Sequence, residues 1–516
     1  MTVRIEMIKL KINSKEIEVK KGSTILQAAN SLGIKIPTMC YLEGQSNHPS
    51  CMMCVVKDLN TNQLHPSCAM KVAEGMNIIT EDTEIIEARK DTLELLLSDH
   101  VGDCEAPCKL SCPANMDIPL MNRLIGEKKY ADALKVVKDD IALPLILGYI
   151  CSAPCEGACK RKPIDNAVSI CQLKKFVAQV DLDSENPYIP EETTKSNKKL
   201  AIIGSGPTGL AASFYLIKYG HQVTVFDQNE SVGGSLLEAI DDKSLPIEAF
   251  QKEIDYLKEY GIDFKLNTRI DHQNIESLKK DFDAVLLTSG ANSKDIFNIE
   301  TIEKNNFKTS KEGQFAAGSI IKPEKMAIRC VAQGKEVANA IDQYLNGKEY
   351  QKPAIKFNSK FGKLESSEYD EYLKESTKES RVEKDNRKLD DFSTEEAIIE
   401  AKRCMHCDCR KLDNCKLRDY SDEYKADRRK YLLSDRNLVK KLMENEGIVY
   451  EPEKCIRCGL CIDISSSGNE ETGLTFIGRG FDVRVQVPFA RTINEALTTT
   501  AKKCIEACPT GALAFK

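Results

Sequence analysis

"KKLAIIGSGPTGLAASFYLIKYGHQVTVFDQNESVGGSL" occupies residues 198–236 and decides the architecture of the middle of the chain. An apolar run is followed by a glycine turn, an apolar helical segment and a second run that ends in Asp227. Gly204 permits the tight turn. Gly206 lets a pyrophosphate approach the backbone at a helix N-terminus, and Gly209 lets helix and strand pack closely. An acidic residue about twenty positions on, at the end of the second strand, is placed to bind a ribose hydroxyl. With Gly233 and Gly234 following, the stretch predicts a Rossmann-like dinucleotide-binding unit. The bland alternative is a scaffold kept only for its shape.

The whole sequence has 516 residues, 41% hydrophobic and 29% charged, with a net charge of −6, which describes several globular domains rather than one core. Lys and Glu are interspersed, so no basic footprint for nucleic acid exists. No secretory signal opens the sequence, and the longest apolar run, IALPLILGYI (141–150), is too short to span a membrane and carries a proline. A cytoplasmic protein is expected. The deciding count is 21 cysteines, grouped tightly, which in a reducing compartment predicts metal ligands rather than disulfides.

Near the start, IKLKINSKEIEV from residue 8 reads as two strands about an Asn-Ser-Lys turn, and GSTILQAANSLG (22–33) as a helix capped by Ser23. Cys40, Cys51, Cys54 and Cys68 follow with spacing C-x10-C-x2-C-x13-C. Three ligands on one loop and a fourth beyond it suit a two-iron cluster, whereas structural zinc favours two close pairs. This spacing resembles the [2Fe-2S] domain at the start of the large iron–sulfur subunit of respiratory NADH dehydrogenase and related hydrogenases. The resemblance implies a β-grasp fold over 1–85.

In those families a segment with one histidine and three cysteines holds a [4Fe-4S] cluster next. Here SDHVGDCEAPCKLSCP (98–113) supplies His100, Cys104, Cys108 and Cys112, with the family's x3 gap after the histidine but x3 and x3 between the cysteines. The expectation is one cluster on these four; the alternative leaves His100 as a solvated residue closing a helix over 90–100, with Cys112 or a distant cysteine completing a different set. A second site, GYICSAPCEGACKRKPIDNAVSICQLKKF, resembles the signature of the glutamate synthase small subunit. That resemblance implies a [4Fe-4S] cluster on Cys151, Cys155 and Cys159, with Cys171 carried forward as fourth ligand. The periodic stretch 118–141 predicts packed helices, making 86–190 a helical double-cluster domain.

The dinucleotide unit resembles the FAD domain of the same family, through DFDAVLLTSGA (281–291) and the closing strand and helix at 313–347. Two departures stand out. The closing strand ends in Gly318-Ser319 where the family has Gly-Asp, and only some twenty residues separate Ala291 from Gly313, too few for a second βαβ unit. Residues 197–348 are therefore expected to bind FAD and to lack the nicotinamide domain. Cys330 reads as a small buried residue in the closing helix.

Residues 349–392 are rich in Lys, Glu and Ser and read as a surface linker. A capping box from Ser393 to Glu396 then opens a helix leading to Cys404, Cys407, Cys409 and Cys415, a metal segment over 393–445 in which iron–sulfur and Zn(Cys)4 stay open. The last module, 446–516, carries KCIRCGLC and KCIEACPTG. C-x2-C-x2-C is a strong [4Fe-4S] signature; Ser465 stands where an ordinary ferredoxin has its fourth cysteine, so Cys455, Cys458 and Cys461 take Cys508, leaving Cys504 as spare.

The fold class expected is thus multidomain α+β and α/β. The cofactors expected are one [2Fe-2S], three to four [4Fe-4S] and FAD, with zinc an alternative at Cys404–Cys415. No acid, base or nucleophile constellation appears, as expected where cofactors carry the chemistry. The combined resemblance implies an electron-transfer subunit of an NAD(P)H-linked oxidoreductase complex. Its partner would be an NADH-oxidising flavoprotein subunit, with a further redox subunit or ferredoxin, and bifurcation at the FAD stays open. The alternative is a self-contained NAD(P)H-dependent reductase.

Overall fold

The computed structural model describes residues 6–515, apart from 48, 192–194, 242, 292, 387, 388, 432–442, 446, 481 and 482. The chain forms two compact units. One comprises Met1–Glu105, Ile355–Lys374 and Cys407–Lys516; the other comprises Ala106–Ala354 and Glu375–His406.

In the first unit, strands Met7–Ile12 and Lys15–Lys20 pair antiparallel across a turn in which Asn13 and Ser14 both take positive φ, the twist-matched hairpin turn. Strand Met7–Ile12 also runs parallel to Asn77–Ile79, which pairs with Val55–Asp58 and through it with Gln63–Pro66. Helix Ile25–Ser31 lies over this sheet, burying Ile25, Leu26, Ala28 and Ala29. Its cap is Thr24, not the expected Ser23, because Thr24 and Gln27 form a reciprocal capping box one residue further on. Helix Thr83–Asp99 follows, capped by Asp82. At the other end of the sequence, strands Ile448–Tyr450 and Leu513–Phe515 pair antiparallel, and helices Leu460–Ser467 and Ala501–Ala507 pack together beside them.

The stretch expected to be a surface linker is corrected by the packing. Ser359, Leu364, Glu368 and Tyr372 are buried within the first unit. The charged composition hides a few widely spaced anchors, and anchors without a period leave no pattern to read.

In the second unit, five parallel strands stand in the order Gln314–Ala316, Ala284–Leu287, Lys199–Ile203, Gln222–Phe226, Asp263–Lys265. Helices Pro207–Lys218 and Ala327–Leu345 pack on each other. Four further helices, Ile118–Gly126, Tyr130–Asp140, Pro144–Ile150 and Ile170–Leu182, share one continuous apolar core with this sheet. The helical and dinucleotide segments, expected as separate domains, are thus one body. Glu253 fastens them, accepting the amides of Leu145 and Ile146 at 2.8 and 2.7 Å. Helix Thr394–Ala401 opens with the Ser393–Glu396 capping box and lies against Ile118–Gly126. Between Leu287 and Gln314 the described residues form a 3-10 turn and an isolated bridge, with no inserted βαβ unit. Among the described residues no helix is long and apolar enough to cross a membrane.

Candidate metal centres and a dinucleotide cleft

Three groups of thiols lie in the first unit. Cys40, Cys51, Cys54 and Cys68 are all buried, and their side chains touch in sequence: Cys51 with Cys40, Cys40 with Cys68, Cys68 with Cys54. Hydrogen bonds from Cys51 and then Cys68 hold the Cys40 thiol far below its ordinary value, and the bond from Cys68 lowers Cys54 to about 7. A thiolate stabilised by neighbouring thiols is the form that binds iron.

Cys455, Cys458 and Cys461 stand at the start of helix Leu460–Ser467, turned by Gly459 at φ +80, and Cys508 ends helix Ala501–Ala507. The other three thiols all bear on Cys461, which burial pushes well above the ordinary value. Cys504 is fully buried, its Sγ 3.7 Å from the Cys461 carbonyl and 3.9 Å from Thr500 Oγ1. Ser465 Oγ donates to the Ile462 carbonyl and accepts the Leu474 amide, a purely structural role.

The third group was not foreseen as one. Cys104, Cys409 and Cys415 face one another electrostatically, and the Cys409 amide donates to the Cys104 carbonyl at 3.0 Å. Ser359, from the stretch read as linker, donates its amide to Cys104 Sγ at 3.3 Å. Buried Lys454, Arg418 and half-buried Arg428 supply the positive charge around Cys104. His100, whose pKa falls to about 4 through burial and then Lys454 and Arg428, stays neutral. Of the expected quartet, His100 and Cys104 fall in the first unit's part of the chain and Cys108 and Cys112 in the second's. Likewise Cys404 belongs to the second unit and Cys407, Cys409 and Cys415 to the first.

One apolar core joins the three groups. Cys40, Cys51 and Cys415 are buried in it together, with Cys458 packed against it. Lys416 faces Cys51, Cys458 and Cys40, and burial lowers its pKa against the raising effect of these thiols.

In the second unit a small gap is lined by Cys112, Cys151, Cys155, Cys171 and Lys174. Three of the four expected here, Cys151, Cys155 and Cys171, line this gap, and Cys112, expected beside Cys104, joins them. Short helices explain the regrouping: Pro107–Ser111 packs on Pro154–Gly157 and presents Cys112, its C-cap, beside Cys155. Glu156 fixes the next helix by accepting the Cys171 amide at 3.1 Å and is itself paired to Arg381 at 2.9 Å. Hydrogen bonding to Cys171, then burial, raises the Cys151 thiol. Cys108 and Cys159 pack against the unit's main core, and Cys404 is buried just beyond helix Thr394–Ala401. Among the described residues no three His, Cys, Asp or Glu side chains close on a point that could hold a single metal ion.

A cleft of about 460 Å³ opens at the ends of the parallel strands, lined by Gly204, Gly206, Asp227, Gly234, Ser319 and Cys330, among others. A Cβ at Gly204 would lie 2.7 Å from the Thr288 carbonyl, and one at Gly209 only 2.1 Å from the Gly204 carbonyl. A Cβ at Gly206 would meet nothing within 4 Å. Two glycines are thus required by packing and one leaves open the space a pyrophosphate would fill, at the uncapped start of helix Pro207–Lys218. Asp227 is engaged by the loop, accepting from the Ser205 amide and hydroxyl and from the Asn229 amide. Gly318 packs its α-carbon against Thr208, and Ser319 lines the cleft.

Comparison with known proteins agrees with this division of labour. Residues 6–83 match a 2Fe-2S iron-sulfur cluster binding domain. Residues 98–186 match domain II of dihydropyrimidine dehydrogenase, a 4Fe-4S cluster domain, and 202–260 match an NAD(P)-binding Rossmann-like domain. The beta subunit of the NADPH-Fe(3+) oxidoreductase of Geobacter sulfurreducens is 34% identical over 202 residues, 39% of this chain and 30% of that one. The beta subunit of the NADP(+)-dependent formate dehydrogenase of Moorella thermoacetica is 35% identical over 207 residues, 36% of this chain and 29% of that one. The glutamate synthase [NADPH] small chain of Bacillus subtilis is 38% identical over 185 residues, 35% of this chain and 37% of that one. All three are oxidoreductases or their subunits, and the chain spans less than two fifths of each.

Proposed function

We propose that the chain is an iron–sulfur flavoprotein subunit of a cytoplasmic NAD(P)H-linked oxidoreductase complex. It passes electrons singly along its clusters and exchanges them in pairs at an FAD in the cleft. The observation that carries this reading is the shared core of Cys40, Cys51, Cys415 and Cys458, which brings three thiol groups into one rigid packing unit. Electron tunnelling falls steeply with distance, so centres that share a core suit a relay. The Cys40, Cys51, Cys54 and Cys68 thiols would hold a two-iron cluster. Cys455, Cys458, Cys461 and Cys508 would hold a four-iron cluster, as would Cys112, Cys151, Cys155 and Cys171. Cys108, Cys159, Cys404 and Cys407 complete the thiols assigned to iron.

When bound, FAD supplies the switch between one- and two-electron transfer. The chain's own residues would bind and orient it: the Gly204–Gly206 turn would hold the pyrophosphate, Asp227 would accept from a ribose hydroxyl, and Gly318 and Ser319 would flank the ribityl chain. One cleft leaves no second nucleotide site on the chain in this reading, so a partner flavoprotein that oxidises NADH would feed it; the relatives named as beta subunits support the existence of partner subunits.

A second reading is favoured by the Rossmann-like match over 202–260, whose description is NAD(P)-binding. In it, the cleft takes the nicotinamide nucleotide itself and the chain works alone as a reductase. Anaerobic purification of the full chain, with iron, sulfide and flavin quantified and NADH and NADPH each added, separates the two. About eighteen irons and one FAD, with neither nucleotide bleaching the flavin, supports the relay subunit. Rapid bleaching by either nucleotide, or a chain without flavin that binds NAD(P)H, transfers the case to the self-contained reductase.

A further inference from the structure

The cysteines at 404–415 form a tight string in sequence, yet their packing separates them. Cys409 and Cys415 converge on Cys104, and all three are buried, at 8, 7 and 8% exposure. The convergence is built, not incidental. The Cys409 amide bonds the Cys104 carbonyl, the Ser359 amide points at Cys104 Sγ, and Gly511 leaves the space that Cys409 Sγ fills, since a Cβ there would stand 2.2 Å from that sulfur.

His100 completes the surroundings. It precedes Cys104 by one short turn of chain and ends helix Thr83–Asp99, with the next amide, that of Val101, tied to the Glu453 carbonyl. Its ring bonds the Lys454 backbone, while its Nδ1 is shielded from solvent and has no hydrogen-bond partner. Lys454 and Arg428 each face both His100 and Cys104, so the imidazole and the thiols border the same charged pocket. A buried ring nitrogen held by a backbone bond on its other side and left without a partner is the arrangement of a ligating histidine. Three thiolates and a cluster bring negative charge, and Lys454, Arg418 and Arg428 are the counter-charges packed around it.

We infer that His100, Cys104, Cys409 and Cys415 hold one [4Fe-4S] cluster, assembled from two segments at opposite ends of the sequence and supported by Ser359 and Gly511. The inference rests on the iron–sulfur reading above but makes a separate claim about grouping. It divides the 404–415 string between two sites, so that string is not one zinc knot.

The test uses the full chain, purified anaerobically, with iron and zinc measured and the reduced protein examined by EPR. Cys104→Ser, Cys409→Ser and Cys415→Ser should each remove the same four-iron signal and about four irons, while Cys404→Ser removes a different one. Nitrogen hyperfine spectra of the unsubstituted protein, grown with 15N-histidine, should show histidine nitrogen on that signal. His100→Cys should keep the irons, abolish the nitrogen coupling and shift the midpoint to lower potential. Should Cys104→Ser and Cys415→Ser remove different signals, or one zinc per chain survive Cys104→Ser and vanish with Cys404→Ser, the grouping is wrong even though other clusters remain. Absence of histidine nitrogen on any cluster overturns the His100 assignment. A chain that binds no iron at all overturns the proposed function as well.

Discussion

Asp227 Oδ2 accepts two hydrogen bonds from Ser205, from its amide at 2.8 Å and its hydroxyl at 2.6 Å. Both residues are buried, and Ser205 is the middle of the Gly204–Gly206 turn. The carboxylate therefore shapes the glycine turn as well as standing where a ribose would bind. Asp227→Ala strands the Ser205 amide, at a cost of about 1–3 kcal/mol, and removes the ribose acceptor in the same stroke. The variant should purify with little flavin and melt earlier than the parent, while its cluster absorbance is retained. Unchanged flavin-to-protein ratio would show that the cleft does not take the dinucleotide through Asp227.

Cys504 and Cys508 separate a packing cysteine from a ligand. Cys504 is fully buried in the core of the C-terminal module and turned toward a carbonyl and a hydroxyl. Cys508 is half-buried and bears on Cys461, Cys455 and Cys458. Cys504→Ala should leave the terminal cluster's EPR signal in place, with a stability loss on the order of 1 kcal/mol for one small buried group. Cys508→Ala should remove that signal together with about four irons. Loss of the signal in Cys504→Ala alone would exchange the two roles.

How much of this could be read beforehand depends on how local each signal is. The turn at Gly204–Gly209 and the Asp227 strand end were legible because a βαβ unit is written in consecutive residues. Cys40, Cys51, Cys54 and Cys68 were legible as a set for the same reason, since strand and loop deliver them in order. The grouping of Cys112 with Cys151 and of Cys104 with Cys409 was not. Both pairs are joined by helix and loop packing, through Pro107–Ser111 on Pro154–Gly157 and through the Ser359 segment, and spacing carries no trace of such contacts. Ser359 itself sat in a stretch whose charge suggested a solvated linker. The one available hint was arithmetic: four thiols between 404 and 415 leave Cys104 and Cys108 short of partners elsewhere.

Glu253 gives the second unit a pH dependence. Burial pushes its carboxyl up to about 7 against the lowering effect of the Ile146 and Leu145 amides and of Lys138. A folded-state pKa above the unfolded value near 4.5 means that folding takes up a proton in between, so this contribution is fully present below pH 4.5 and lost as pH rises through 7. The loss should approach about 3 kcal/mol above pH 8. Glu253→Gln, which stays neutral, should melt close to the parent near pH 4 and progressively above it as the pH rises from 4.5 to 7, the gap then staying level. Parallel melting curves across that range would show that the carboxyl titrates normally in the fold.

Lys174 is buried to 3% exposure and lines the same gap as Cys112, Cys151, Cys155 and Cys171. Burial alone would lower its pKa, but the four thiols together outweigh that and raise it, so the ammonium stays charged. A fixed positive charge beside a cluster stabilises the reduced, more negative state and holds the midpoint up. Lys174→Met removes the charge while keeping most of the aliphatic volume. The cluster on those four cysteines should then become harder to reduce, its midpoint falling on the order of tens of millivolts in an EPR-monitored titration. Lys174→Arg should restore most of the shift, because the charge and not the side-chain shape sets it. A midpoint unmoved by Lys174→Met would mean that the ammonium is screened from the cluster or that the cluster sits on other thiols. The iron content of Cys112→Ser separates these outcomes: loss of about four irons keeps the site and leaves screening as the cause.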